Sequence, residues 1–387
     1  MLNFNYMVST RVFFGRNSIE HLGEELKQYG KRILFVYGQG SIKKTGLYDT
    51  VIDIFVKNHM VYYELAGVQP NPRISLVRQG ITLCREHDIE CIVAVGGGSV
   101  IDSAKTIATG VYHDGDPWDL FVLGDSSVKK ALPIGTVLTF AGTGSEMNGN
   151  AVISNEQTEE KLAIHKDILR PRFSILDPTY TFSVPKNQTA AGTVDIFSHI
   201  LEQYFSPTKD AFVQDRMAES LLKTCIAYSP IVLQEPTNYE ARAQLMWTSS
   251  IALNGLLGYG RVSDWATHGI EHALSAVDDV THGVGLAILT PAWMEYVLNE
   301  ETTDKFVEYA RNVWGLEGKN DMVVAKNGIA KTRDFFTNLG MPQTLRDVGV
   351  KKNALAKMAE KTVVHGAVGK FKKLEKHDVL AILTNAF

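Results

Sequence analysis

A five-residue run, Cys91-Ile-Val-Ala-Val95, is apolar at every position and limits most strongly how this chain can fold. Because side chains alternate between the two faces of a strand, such a run fits only a strand that is covered on both sides. Strands of that kind are typical of parallel sheets with helices above and below. The run therefore predicts a central strand of an α/β sheet.

The sequence around this run alternates between short β-branched segments and longer segments of helical periodicity, as parallel βαβ units do. The predicted strands are 10–14, 31–37, 61–65, 91–95, 131–140 and 173–176, and the helices between them are 48–58 and 74–87. From about residue 187 the period is mostly 3.6 residues, which predicts helices at 195–205, 210–228, 239–255, 264–276, 284–297, 303–314 and 323–339. We expect an α/β domain with a Rossmann-like parallel sheet over residues 1–184 and an all-α domain over residues 185–387.

Composition excludes several classes of protein. The chain has 387 residues, of which 45% are hydrophobic and 21% charged, and its net charge is −4, so neither disorder nor nucleic-acid binding is expected. The three cysteines are too few and too scattered for a disulfide framework or a thiolate metal site, which is typical of a reducing compartment. No signal-like segment and no apolar run of membrane-spanning length occurs, so we expect a cytoplasmic protein with no membrane partner.

A glycine-rich loop follows the central strand. Gly96-Gly-Gly-Ser99 leads into a predicted helix, and glycines before a helix N-terminus let the backbone approach a pyrophosphate. The loop departs from the dinucleotide fingerprint because Ile101 stands where the third glycine belongs, so a Rossmann strand order of the usual kind is doubtful. The alternative is a tight turn with a serine N-cap.

A second loop, Thr139 to Glu146, places small and hydroxyl residues after another predicted strand, which indicates a nucleotide lying across the carboxyl ends of the strands. The first strand of the alternation ends at Gly38, with no acid before Asp49 to pair with a ribose 2′-hydroxyl. Ser41 and the lysines after it would accept a 2′-phosphate, which favours NADP over NAD. The alternative is a glycine turn followed by solvated lysines.

The helical half contains a pattern that favours a metal ion. Asp195 and His199 are four residues apart, and so are His268 and His272, with His282 following soon after. On a helix this spacing puts two side chains on one face, where they share a ligand. One carboxylate with imidazoles suits Fe²⁺ or Zn²⁺, whereas calcium and magnesium prefer oxygen donors. The alternative for any single histidine is a hydrogen-bonded core residue.

These motifs together resemble one enzyme family. The glycine loop, the 139–146 loop, the Asp195/His199 pair and the His268/His282 pair, in this order, are similar to the iron-containing (group III) alcohol dehydrogenases. The segments 37–44, 69–72, 176–180 and 264–268 resemble more closely the NADPH-dependent butanol dehydrogenase and aldehyde reductase branch. The resemblance covers essentially the whole chain. It implies a dinucleotide-binding N-terminal domain and a metal-binding, substrate-binding C-terminal domain.

The resemblance also implies site residues. It assigns the divalent metal, Fe²⁺ or Zn²⁺, to Asp195, His199, His268 and His282, which leaves His272 beside the metal and near the nicotinamide. It assigns the NADP(H) contacts to Gly38, Ser41, Asn71, Gly97, Gly98, Ser99, Asp102, Thr139, Thr143, Lys161 and Tyr180. Members of the family are commonly homodimers or larger homo-oligomers.

The resulting hypothesis is a reversible hydride transfer between NADP(H) and a primary aliphatic alcohol or aldehyde such as butanol or butanal, with His272 as the proton relay. A structural role for His272 is the alternative. A second reading is a metal-dependent lyase similar to dehydroquinate synthase, and a third is a nucleotide-binding regulatory protein with a structural zinc. Trp247, Trp265 and Trp293 are predicted core residues, with a wall of the substrate pocket as the alternative for Trp265.

Overall fold

The computed structural model describes all residues from 1 to 387. Its strands are β1 Arg11–Phe14, β2 Arg32–Gly38, β3 Val61–Val68, β4 Cys91–Gly96, β5 Ile134–Leu138, β6 Asn150–Asn155, β7 Glu160–His165 and β8 Phe173–Leu176. Its helices are α1 Leu22–Leu26, α2 Ser41–Lys44, α3 Leu47–Lys57, α4 Ile74–Glu86, α5 Gly98–Gly110, α6 Asp119–Val122, α7 Lys186–Tyr204, α8 Phe212–Gln234, α9 Tyr239–Ala252, α10 Ala266–Asp278, α11 His282–Val297, α12 Thr303–Trp314, α13 Asp321–Asn338, α14 Leu355–Thr362 and α15 Lys376–Asn385.

Six strands form one sheet in the order β1-β8-β5-β4-β2-β3, and every pairing in it is parallel. β4 lies inside the sheet, hydrogen-bonded to β2 on one side and β5 on the other, and all its residues are buried. The prediction of a parallel α/β sheet with a central strand at 91–95 is confirmed. The strand order differs from the 3-2-1-4-5-6 order of the Rossmann fold, in agreement with the imperfect glycine fingerprint.

The alternation of side chains along β4 divides the apolar core of the sheet into two clusters. Ile92 and Ala94 belong to the cluster that contains α4 and α5 residues, whereas Val93 and Val95 belong to the cluster that contains α3 residues. Each face of the strand is thus covered by helices, as its uniform hydrophobicity requires.

The chain divides into two compact units. The sheet unit comprises residues 7–184 and 237–250, and the helical unit comprises residues 1–6, 185–236 and 251–387. The helical unit contains α7, α8 and α10 to α15, whereas most of α9 belongs to the sheet unit. The helical unit has its own large apolar core around Phe197, Phe205 and Trp293. None of the helices combines the length and the hydrophobicity that a membrane-spanning helix needs.

Several elements have no counterpart among the predicted ones, among them one hairpin and the last two helices. β6 and β7 form a separate antiparallel hairpin whose turn, 156–159, is polar. α14 and α15 follow the last predicted helix, and α15 begins with a capping box in which Glu375 and Asp378 each accept from the other's backbone N–H. The remaining predicted helices of the second half differ from the observed ones mainly at their ends.

Candidate active site

The two loops singled out in the sequence lie side by side at the carboxyl end of the sheet. Gly96–Ser99 connects β4 to α5, and Thr139 N donates to Gly96 O at 3.0 Å. A Cβ at Gly98 would lie 2.3 Å from Thr143 Oγ1, so the second loop reaches the first only because residue 98 is glycine. The amino terminus of α5, with N–H groups that have no partner within the helix, begins here and suits an anion.

The predicted cofactor contacts Gly38 and Ser41 lie at the end of β2, the strand next to β4 in the sheet. Gly38 ends β2, which pairs with β4 although β3 separates them in sequence, so the strand order reverses between β2 and β4. In open α/β sheets, ligands bind beyond the carboxyl ends of the strands, at the place where the strand order reverses. Gly40 has a φ of 109° and starts α2 at Ser41, which turns the chain sharply after the strand.

An acid that the sequence reading missed lies beside this turn. Glu64 comes from the neighbouring strand β3 and accepts hydrogen bonds from Tyr37 Oη at 2.6 Å and Tyr48 Oη at 2.7 Å. Burial and the bond to Glu64 raise the pKa of Tyr37 above its usual value. The Lys43 ammonium lies 4.4 Å from the Tyr48 ring centroid. Only the pairing of β3 with β2 reveals this group, because Glu64 is remote in sequence.

Asp102 is held by residues of its own unit. Ser145 Oγ donates to Asp102 Oδ1 at 2.5 Å and Val152 N donates to Oδ2 at 3.0 Å. Lys105, one turn further along α5, is fully buried and donates to Ser145 Oγ at 2.7 Å. Burial raises the pKa of Asp102, and Lys105 opposes this rise. These contacts fix the 139–146 loop against α5. Lys105 was missed, although a lysine beside Ala104 on an apolar helix is a signal for a buried cation.

The remaining predicted cofactor contacts fall in two places. Asn71 and Lys161 are both buried and are brought together, since Lys161 Nζ donates to Asn71 Oδ1 at 3.1 Å. Asn71 has a φ of 50°, a left-handed conformation that asparagine tolerates. Tyr180 packs against the apolar cluster that includes α3, and burial raises its pKa.

In the helical unit, the four predicted metal ligands converge. Asp195 and His199 project from successive turns of α7, His268 comes from α10, and His282 is the first residue of α11. Their donor atoms all lie within 4.8 Å of one another. Asp195 Oδ1 lies 3.4 Å from His282 Nε2, 3.6 Å from His199 Nε2 and 3.9 Å from His268 Nε2. We call these four residues the cation cluster.

The donors of the cation cluster fit a divalent ion. Asp195 Oδ1 and His268 Nε2 are buried without a hydrogen-bond partner, which is costly unless something else satisfies them. Burial alone would raise the pKa of Asp195, but the imidazoles around it outweigh burial and lower the pKa. Burial lowers the pKa of His199 to about 4. Buried imidazole nitrogens and one carboxylate oxygen form the donor set that Zn²⁺ and Fe²⁺ accept.

Two carboxylates missed in the sequence orient the imidazoles. Glu202 accepts from His268 Nδ1 and, at 3.0 Å, from His268 N, while Glu271 is hydrogen-bonded with His282 Nδ1 and Ser275 Oγ. Burial opposes protonation of His268, but Glu202 and Asp195 raise the pKa of His268 to about 10. A carboxylate on the far nitrogen turns the near nitrogen toward the cluster, as is usual for metal-binding histidines. The signal in the sequence was a glutamate directly after an apolar pair or residue in each helix, Ile200-Leu201 before Glu202 and Ile270 before Glu271.

His272 lies beside the cation cluster and outside it. Its ring centroid is 6.4 Å from that of His268 and 5.9 Å from that of His282, and its side chain is half-buried.

Of the three tryptophans predicted as core, only Trp293 is fully buried. Trp247 and Trp265 are partly exposed, so the core prediction is wrong for these two. Helical periodicity marked the segments around them as apolar but could not show that both side chains reach the surface.

Comparison with known proteins covers the whole chain. A family model described as iron-containing alcohol dehydrogenase matches residues 9–178, and one described as the C-terminal part of the Fe-containing alcohol dehydrogenase family matches residues 189–387. NADH-dependent butanol dehydrogenase B of Clostridium acetobutylicum is 55% identical over 387 residues, covering 99% of each chain. The NADPH-dependent aldehyde reductase YqhD of Escherichia coli is 40% identical, covering 98% of this chain and 97% of the relative.

Two solved structures of similar proteins have the same fold as this chain. The crystal structure of NADH-dependent butanol dehydrogenase A from Thermotoga maritima superposes with a TM-score of 0.95 at 40% identity, covering 100% of this chain and 99% of that one. The crystal structure of E. coli YqhD gives a TM-score of 0.96 at 38% identity, with the same coverage. The chain therefore belongs to the iron-containing alcohol dehydrogenase family, in its butanol dehydrogenase and aldehyde reductase branch, and is an alcohol/aldehyde oxidoreductase.

Proposed function

We propose that this chain is a metal-dependent oxidoreductase that transfers a hydride between NADP(H) and a primary aliphatic alcohol or aldehyde such as butanol or butanal. The convergence of Asp195, His199, His268 and His282 supports the proposal most directly. These four side chains would hold one Fe²⁺ or Zn²⁺ ion. Such an ion, when bound, supplies a Lewis acid that polarises the substrate oxygen and makes the alcohol more acidic.

The chain's own residues would orient the imidazoles, bind the dinucleotide and exchange the proton. Glu202 and Glu271 hold the imidazoles of His268 and His282 in one orientation. The first turn of α5 and the loop at 139–146 would bind the dinucleotide phosphates. In this proposal His272, half-buried beside the cation cluster, exchanges the substrate proton with solvent.

Replacing His272 tests that role. We expect His272→Ala to lower the turnover number by about 100-fold or more, as loss of a general acid or base does. The metal content should not change, because the side chain lies outside the four donors. Metal analysis beside steady-state kinetics separates the two roles: loss of the metal would make His272 a ligand, and unchanged turnover would make it structural.

The surroundings of the cation cluster favour an uncharged substrate. The ionic partners of Asp195 are imidazoles, and the groups behind these imidazoles are carboxylates. A lyase similar to dehydroquinate synthase acts on a multiply charged, phosphorylated substrate and would need cations there. Incubation with butanal and NADPH distinguishes the two: the proposed enzyme oxidises one NADPH per butanal consumed, whereas a lyase accumulates no NADP⁺.

The preference for NADP(H) is proposed from Gly38, which offers no carboxylate to a ribose 2′-hydroxyl. Ser41 and Lys43 follow it and would meet a 2′-phosphate. Four relatives that are 48–55% identical are named as NADH-dependent, and one that is 40% identical is named as NADPH-dependent, so a direct measurement decides the preference. We expect a higher kcat/KM with NADPH than with NADH, and Gly38→Asp should reverse the order. A wild-type preference for NADH would refute this part of the proposal.

We also propose that the chain forms a homodimer or a larger homo-oligomer. β1 pairs only with β8, so its other edge has unpaired backbone groups of the kind that another chain can bind. Phe14 at the end of this strand is exposed. Light scattering on the purified protein should give a mass of at least two chains, and a monomer at micromolar concentration would contradict it.

A further inference from the structure

Lys105 is a completely buried cation in the helix that follows the glycine-rich loop. Its Nζ donates to Ser145 Oγ at 2.7 Å, to Asn148 Oδ1 at 3.0 Å and to Asn150 O at 2.7 Å. An ammonium group has three N–H donors and no acceptor, so these three bonds use all of its donors. Burial lowers the pKa of Lys105, and the carboxyl groups nearby oppose the decrease. The three acceptors therefore match the protonated side chain.

The ammonium determines where the proton of the Ser145 hydroxyl points. Ser145 Oγ accepts from Lys105, so its own proton goes to its other partner, Asp102 Oδ1, at 2.5 Å. Asp102 Oδ2 accepts from Val152 N at 3.0 Å. A protonated Asp102 would leave the Ser145 proton without an acceptor. These contacts thus favour the ionised carboxylate of Asp102 and fix the position of both its oxygens.

The same ammonium fixes the loop that follows β5. Because Asn148 Oδ1 accepts from Lys105, Asn148 Nδ2 is the atom that donates to Gly144 O, at 2.9 Å. The preceding residue, Thr143, packs against Gly98 at the start of α5. Lys105 therefore supports this loop and the first turn of α5 from the interior of the sheet unit. A side chain that is completely buried does not touch a ligand itself, so any effect on binding passes through its partners.

We propose that Lys105 is a positioning residue of the dinucleotide site, which holds Asp102 ionised and oriented to accept a hydrogen bond from a hydroxyl or amide group of the cofactor. The inference rests on the function proposed above, in which Asp102 belongs to that site. Asp102 keeps 8% of its surface exposed, one turn inside the helix end where the phosphates would bind. A carboxylate whose two oxygens each accept one bond still has unused lone pairs, so it can accept another.

The first test removes the cation and keeps the length of the side chain. We expect Lys105→Met to raise the dissociation constant for NADPH, followed by NADPH fluorescence, by about tenfold or more, the value of a hydrogen bond to a charged group. In steady-state kinetics the loss should appear in the KM for NADPH rather than in kcat. An unchanged dissociation constant, or a loss confined to kcat, overturns the proposal.

Thr106→Val is the matched control for this variant. Thr106 is the next residue of α5 and is equally buried, and its hydroxyl donates only to the main-chain carbonyl of Asp102, at 2.8 Å. The substitution therefore disturbs the same helix without removing a contact of the Asp102 carboxylate. We expect the dissociation constant for NADPH to stay within about twofold of wild type. An equal loss of affinity in Thr106→Val and Lys105→Met would reduce Lys105 to general support of the helix and overturn the proposal.

A double-mutant cycle separates positioning from a merely structural role. If Lys105 acts through Asp102, the lysine has no carboxylate left to orient in Asp102→Asn protein. We expect Lys105→Met in that background to weaken NADPH binding by less than about twofold, although it costs about tenfold in wild type. Two residues that act independently would multiply their effects. An equal loss in the two backgrounds therefore overturns the proposal.

Two further arms keep the test decisive. If Lys105→Met does not fold, because it leaves a buried carboxylate without its cation, Lys105→Gln, which keeps N–H donors, takes its place in the cycle. If wild type binds NADH more tightly than NADPH, NADH is the ligand in every titration. Wild-type protein that binds neither dinucleotide refutes the proposed function, and this inference with it. Wild-type protein that binds one of them, with independent effects in the cycle, refutes this inference alone.

Discussion

At the scale of single residues, the cation cluster depends on which nitrogen of each imidazole faces Asp195. His268 and His282 each have one ring nitrogen engaged by a buried carboxylate, Glu202 or Glu271, so the other nitrogen faces the cluster. Sequence spacing could place Asp195 with His199 on one helix face. It could not choose between His268 and His272, because both precede His282 and only the packing of α10 against α11 separates them.

Removing one of these supporting carboxylates should weaken metal binding. We expect Glu271→Gln to lower the affinity for Zn²⁺ by about 10-fold to 100-fold, because the amide no longer fixes the proton on His282 Nδ1. Competition with a chromophoric chelator measures the affinity. Glu295→Gln is the control, since Glu295 lies on the same helix as His282 but pairs with Arg333 at 2.8 Å on the surface. Equal affinities in the two variants would contradict the role of Glu271.

At the scale of helices and strands, the cation cluster requires that α11 lie very close to α7. A Cβ on Gly283 would lie 2.1 Å from Ala191 O, so a larger residue must push the two backbones apart. In the sheet unit, Gly98 likewise allows the Thr143 side chain to approach the backbone closely. Glycine in these positions marks a close backbone approach, which a sequence reading cannot distinguish from a flexible turn.

Gly283→Ala should therefore reduce both stability and metal binding. We expect a loss of about 1–3 kcal/mol in the free energy of unfolding, as overpacking typically causes. Gly269→Ala is the matched control, because its Cβ would approach only side-chain atoms of Val368, at 3.2 Å or more, and no backbone of another element. Chemical denaturation of both metal-free variants makes the comparison. A Gly283→Ala protein as stable as the control would show that the helices are not held this closely.

Glu90 links two neighbouring strands and gives stability a dependence on pH. Its carboxylate accepts from Lys31 N at 2.7 Å and Arg32 N at 2.9 Å, and these bonds lower the pKa of Glu90. A lowered carboxyl pKa contributes stability above the unfolded value of about 4.3, and the contribution is lost as the pH falls through the folded value. Wild type should exceed Glu90→Gln in stability at pH 7 by less than about 1 kcal/mol, because the Glu90 side chain is partly exposed and solvent screens its charge. Denaturation of both proteins at pH 7 and pH 3 checks whether their difference in stability is smaller at pH 3. An equal difference at the two pH values would contradict the role of Glu90.

At the scale of the whole molecule, the division into a parallel α/β half and a helical half could be predicted because it depends on periodicity alone. The β6–β7 hairpin could not, since Glu156 to Glu159 and the strands beside it lack a clear apolar alternation. Glu64, Glu202 and Glu271 were missed for a common reason. Each acts on a side chain from another element, so its partner is set by packing and not by its own surroundings in the sequence.

A bound cation should also stabilise the helical unit. A ligand at 100 times its dissociation constant adds about 2.7 kcal/mol to the free energy of unfolding when only the folded state binds it. A structural zinc, in contrast, would leave the metal-free chain unfolded. We expect metal-free protein to keep its far-ultraviolet circular dichroism and to unfold at a lower temperature than the loaded protein. Loss of the folded spectrum on chelation would favour the structural zinc.

The proposed function depends on one catalytic divalent cation held by Asp195, His199, His268 and His282. The most direct measurement is the reconstitution of metal-free protein with Fe²⁺ or Zn²⁺, with metal per chain and NADPH-dependent reduction of butanal followed together. We predict one cation per chain, activity that returns in proportion to it, and neither in His199→Ala. Full activity in the metal-free chain, or no binding of either cation, would contradict the account.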